Sequence, residues 1–103
     1  MFYKTIERVL NAGLRYARVK AYSPWNQRKP DNRQLSTAYL ISRLNEEVCE
    51  LEEAYQKMLV AERDRKGSEK DRCLEAIEIA MEAGDVINFA SMICDNIEFG
   101  NFK

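Results

Sequence analysis

Residues 44–55 read Leu44-Asn45-Glu46-Glu47-Val48-Cys49-Glu50-Leu51-Glu52-Glu53-Ala54-Tyr55. Glu46, Glu47, Glu50, Glu52 and Glu53 crowd a run that would suit a solvated helix face, the ordinary home of clustered charge. Wound at about 100° per residue, the stretch separates them. Leu40, Leu44, Leu51, Ala54 and Met58 bracket Glu47, with Val48 and Tyr55 further round the same side. Glu47 therefore lies inside an apolar stripe and Glu50 at its edge. Glu46 falls on the flank, and Glu52 and Glu53 fall well outside. A carboxylate on a core-facing stripe is costly to bury unless it is paired, protonated or bound to a metal. What meets Glu47 and Glu50 decides how the rest of the chain is read.

Working outward, the spacing predicts a second helix over 34–63, beginning near Ser36. Before it, Phe2, Ile6, Val9, Leu10, Gly13, Leu14, Ala17 and Ala21 recur at steps of three and four, an amphipathic helix over 2–22. Arg8, Arg15, Arg18 and Lys20 lie away from or beside that stripe. Pro24 and Pro30 bracket Trp25-Asn26-Gln27-Arg28-Lys29, so 23–34 reads as a loop. Gly67 suits a helix C′ position, and Ser68 with Asp71 resembles a capping box. A third helix follows over 69–97. From Val86 to Cys94 only Asn88 and Ser91 are polar, and a helix apolar almost all round is expected to be buried. Residues 98–103 are expected to form a tail packed through Phe99 and Phe102. No strand is indicated.

The bulk properties bound the function. The chain has 103 residues, 46% hydrophobic and 32% charged, enough for one domain spanning 1–103. Sixteen basic and 17 acidic residues leave a net charge of −1, which gives no pull toward nucleic acid or an anionic membrane. No apolar run approaches the ~20 residues needed to span a bilayer, and the first residues are amphipathic rather than leader-like. Three scattered cysteines, Cys49, Cys73 and Cys94, fit reduced thiols and a cytoplasmic location. There is no histidine. That removes His-based catalysis and most zinc sites, and disfavours di-iron sites built on Glu-x-x-His.

The third helix repeats the pattern of the second. Glu82 and Asp85 stand three residues apart at the entrance of its apolar run, as Glu47 and Glu50 do on their stripe, and a three-residue step puts both acids on one side of a helix. Antiparallel packing of the two helices would bring four carboxylates together. Such charges cannot all stay ionised in a partly buried site without cations. Hard divalent ions meet that need: Mg²⁺, with Mn²⁺ as a substitute, takes oxygen ligands and bridges carboxylates to phosphates. The chemistry that follows is phosphoryl or pyrophosphoryl hydrolysis. Acids at this spacing are also common on plain helix surfaces, and that reading stays open.

Glu46-Glu47-Val48-Cys49-Glu50-Leu51 followed by Glu82-Ala83-Gly84-Asp85-Val86-Ile87 resembles the E-E-x-x-E and E-x-x-D motifs of the MazG-like all-α nucleoside triphosphate pyrophosphohydrolases, over about residues 35–96. The three expected helices and the long segment between Glu50 and Glu82 point to an all-α chain with a long central helical hairpin, and the resemblance implies an antiparallel helical bundle completed by homodimer or homotetramer formation. It implies Mg²⁺-dependent cleavage of a nucleoside triphosphate to the monophosphate and pyrophosphate, with Glu47, Glu50, Glu82 and Asp85 as metal ligands. Glu46 matches the first motif glutamate; it, Glu47 or Glu50 is the candidate catalytic base. Phosphoribosyl-ATP pyrophosphohydrolases have similar acidic motifs, so that substrate is an alternative. So is a non-catalytic helical module that self-associates.

This sequence departs from the pattern in its long 51–81 segment and its early end after the third helix, where many relatives carry a helix with basic and amide groups for substrate. Candidate substitutes are Trp25, Arg28, Lys29, Arg43 and Asn88. Each has a plainer reading. Trp25 plugs the end of the bundle, Arg28 and Lys29 belong to a solvated connector, Arg43 pairs with Glu47 or Glu50, and Asn88 makes a helix-packing hydrogen bond.

Overall fold

The computed structural model describes residues 2–23, 31–64 and 69–103. Trp25, Arg28 and Lys29, and the turn signals Gly67 and Ser68, lie outside them. The described residues are all-helical, with three long helices and no strand: α1 (Phe2–Ala21), α2 (Thr37–Asp64) and α3 (Glu69–Phe99). The expected loop before α2 ends in a 3₁₀ turn over Asn32–Gln34, whose Asp31 side chain accepts a hydrogen bond from the Arg33 amide. Ser36 caps α2, its Oγ accepting from the Tyr39 amide at 3.0 Å.

Helix α3 packs against both of the others. Against α2 it runs in the opposite direction, as the contacts along the pair show. Thr37 Oγ1 donates to the Asn101 carbonyl at 2.8 Å, Lys57 Nζ lies 3.7 Å from Glu78, and Arg72 Nε lies 3.2 Å from Glu62. Leu40, fully buried, and Ala54 lie in this seam on the stripe that carries Glu47.

Helix α1 reaches α3 through glycine. A Cβ on Gly84 would stand 2.8 Å from the carbonyl carbon and oxygen of Tyr16 and 3.0 Å from the Ala17 nitrogen. Only a residue without a side chain admits α1's backbone at that point. Asn88, one turn on, donates to the Ala17 carbonyl at 2.8 Å and fixes the crossing.

The chain end differs from expectation. Phe99 and Phe102 are exposed, Phe102 to 73%, and Asn101 makes the anchor instead. Gly100, at φ +99°, turns the chain out of α3, and the Asn101 amide returns to the Asn96 carbonyl at 2.9 Å, a Schellman closure. Asn101 and fully buried Asn96 both donate to the Leu35 carbonyl, at 3.0 and 2.9 Å. Arg33 pairs with Asp95 through two hydrogen bonds of 3.0 and 3.1 Å and lies over the Phe99 ring at 4.5 Å.

The apolar run of α3 is half-buried rather than buried, and Cys94 is exposed. Two neighbouring helices cannot cover a third that is apolar all round. Ile6, Val9, Leu10 and Leu14 on α1 and Tyr55, Leu59 and Val60 on α2 are likewise exposed in the single chain.

The two α1–α3 contacts through glycine differ in what blocks them. At Gly13 an added Cβ would meet only Ile87 Cδ1, at 2.9 Å, the tip of a flexible side chain. Gly84→Ala should lower stability by about 1–3 kcal/mol despite its gain in helix propensity. Gly13→Ala should be close to neutral, as denaturant unfolding of the two variants will show.

Candidate metal centre

The opposed run of α2 and α3 places the two acidic pairs side by side. One oxygen each from Glu47, Glu82 and Asp85 lies within 4.8 Å of the others. Glu50, on the next turn of α2, is exposed at the mouth, with its carboxyl against that of Glu47. All four acids line a cavity of about 740 Å³ that continues past Asn88, Phe89 and Met92 to Asn32 and Asp95.

Glu47 is 5% exposed. Arg43, one turn earlier, donates to its Oε1 at 2.9 Å. Its Oε2 is buried without a donor, and so is Oε2 of Glu82. Buried carboxylate oxygens without partners are costly. Burial pushes the Glu47 carboxyl up to about 7, reinforced by the neighbouring Glu50 carboxyl and by Asp85 and opposed by Arg43. Glu82 is raised as well, first by burial, while Lys20 pulls it down and Asp85 and Glu50 push it further up. The group has the make-up of a hard-cation site, with oxygen donors only, close together and short of positive charge.

Of the other residues singled out in the sequence, Glu46 pairs with Arg43 at the surface, in keeping with its flanking phase. Arg43 is thus bonded to both Glu46 and Glu47 and lies 5.1 Å from the Phe89 ring centre. Asn88 lines the cavity while its amide holds Ala17. Arg43 and Asn88 therefore have protein partners of the kind their plainer readings anticipate.

Lys20, beside the α1 stripe, is a site residue that the acidic motifs do not indicate. Its Nζ lies 3.0 Å from Asp85 Oδ2. The signal was present: Gly13, Ala17 and Lys20 follow at steps of four and three, so Lys20 continues the face that α1 turns to α3.

The chain matches no family model, no curated protein and no solved structure. Among the described residues no helix is long and apolar enough to cross a membrane.

The raised Glu47 carboxyl links stability to pH. A carboxyl that ionises near 4.5 when unfolded and about 7 when folded holds its proton more tightly in the native state. Its contribution is complete below the lower value and is lost as pH rises through the window. In chelator, unfolding free energy should fall by on the order of 1–3 kcal/mol between those values. Glu47→Gln, which mimics the protonated form, should flatten the slope. Equal slopes in the two proteins would remove Glu47 as its source.

Proposed function

We propose that this chain is a Mg²⁺-dependent nucleoside triphosphate pyrophosphohydrolase, cleaving an NTP or dNTP to the monophosphate and pyrophosphate. The observation that carries the reading is the pair of buried, donor-less oxygens of Glu47 and Glu82 beside Asp85. Three converging carboxylates need positive charge, and the cavity beside them has room for a nucleotide.

In this reading Glu47, Glu82 and Asp85 hold the metal, with Glu50 joining from the mouth and Mn²⁺ able to substitute. A bound divalent ion would neutralise phosphate charge and polarise the attacking water. Arg43 orients Glu47 and keeps one of its oxygens turned aside. Glu50 is best placed to take the proton of that water, because it is exposed to solvent next to the cluster. Glu46 acts through Arg43. Phe89 and Met92 line the cavity beyond the acids and offer an apolar surface to a nucleoside.

The exposed apolar side chains of α1 and α2 support the further expectation that the helices complete an antiparallel bundle by self-association, as a homodimer or homotetramer. Three exposed free cysteines suit a reducing, cytoplasmic setting. The same apolar faces favour one rival, a helical self-association module without catalysis.

Pyrophosphate release from a panel of standard and modified triphosphates with Mg²⁺ tests the assignment. Asp85→Asn and Glu82→Gln should each lower the rate by at least about 10–100-fold. Equal activity in all three proteins would sink it. Melting with and without Mg²⁺ separates the rival. An ion bound only by the folded state adds about 2.7 kcal/mol at a hundredfold excess over Kd, a rise of several degrees in Tm. A flat response at millimolar metal favours the module.

A further inference from the structure

We propose that Lys20 is a tethered cation that occupies the carboxylate cluster until a divalent ion displaces it, and that the freed ammonium then holds the phosphates such an ion brings. The proposal rests on the metal-centre reading above and assigns a role to a residue outside both acidic motifs.

The geometry defines the starting state. Lys20 Nζ lies 3.0 Å from Asp85 Oδ2, with the side chains 28% and 16% exposed. Glu82 and Glu47 also act on the ammonium. It therefore stands within the field of all three carboxylates that would hold a metal. An ion drawn to Asp85 competes with the ammonium for that carboxylate, and two cations held together in a partly buried site repel, which favours departure of the lysine.

The backbone beneath Lys20 is not free to move. One turn back, Tyr16 and Ala17 lie against Gly84, and Ala17 is bonded to Asn88. Displacement therefore falls to the lysine stem, whose rotatable carbons carry a compact point charge. The cavity gives the ammonium somewhere to go. Among the described residues that line it, Lys20 is the one cation, beside carboxylates that include Asp31, Glu50 and Asp95. A polyanion entering such a cavity is repelled by every other charge there. Metal and Lys20 together can reverse that, and Lys20 can do so only once Asp85 has another partner. Metal should therefore bind before phosphate.

Footprinting with an amine-acylating reagent reads the movement directly. Lys20 of the full chain should react slowly in chelator, several-fold faster with saturating Mn²⁺, and slowly again when inorganic pyrophosphate is added to the Mn²⁺-loaded protein. Lys57, 67% exposed on α2, serves as the unresponsive reference. In parallel, Mn²⁺ titration followed by electron paramagnetic resonance should show binding tightened roughly tenfold in Lys20→Met. Lys20→Arg should restore wild-type affinity.

Mn²⁺ binding with no rise in Lys20 reactivity overturns the proposal and leaves the metal centre standing. Unchanged affinity in Lys20→Met does the same. Binding by Lys20→Met but not by wild type supports it in its strongest form, in which the ammonium outcompetes the ion. Binding by neither protein overturns both readings.

Discussion

The contact that the rest of the molecule depends on is the one at Gly84. It lets the backbone of α1 lie directly on α3, closer than any side chain would allow. Asp85 is the next residue and Asn88 one turn further on, so a single close approach sets three things together. It ties Ala17 to Asn88, carries Lys20 over Asp85, and closes one side of the cavity. Gly84 carries no side chain, yet the position of the one cation among the described residues lining the cavity follows from it.

The opposite wall is governed by electrostatics. The seam between α2 and α3 is apolar at Leu40 and Ala54, but Glu47 interrupts it and Glu82 and Asp85 face it from α3. Arg43 from the same helix and Lys20 from another each supply one positive charge, and oxygens of Glu47 and Glu82 remain without donors. Burial first, and then the neighbouring Glu50 and Asp85 carboxyls, raise the Glu47 carboxyl against the pull of Arg43. Glu47, Glu82 and Asp85 together form a group of oxygens that could hold a cation.

At the far end, polar groups hold what hydrophobic packing does not. The 3₁₀ turn, the start of α2 and the chain end are joined by hydrogen bonds among Asn32, Asp95, Asn96 and Asn101. Burying Asn96 completely is tolerable because its amide is satisfied on both sides, accepting from Asn32 and donating to Leu35. Phe99 and Phe102, the apolar residues that invited a packing role, stay at the surface.

Three helices, their approximate limits and the distinction of Glu47 from Glu52 and Glu53 were legible in the sequence. Each follows from periodicity, which is local: a residue's phase on its own helix depends on its neighbours in the chain. The burial of Glu47 was legible for that reason. What lay between helices was not. Phase cannot tell whether Lys20 faces solvent or a carboxylate on α3, whether Gly84 is spacing or contact, or whether Asn101 or Phe102 anchors the end. Nor can it say that two helices leave the third only half covered. Those outcomes depend on distances between segments far apart in the chain, and side chains set such distances only once the backbones have met.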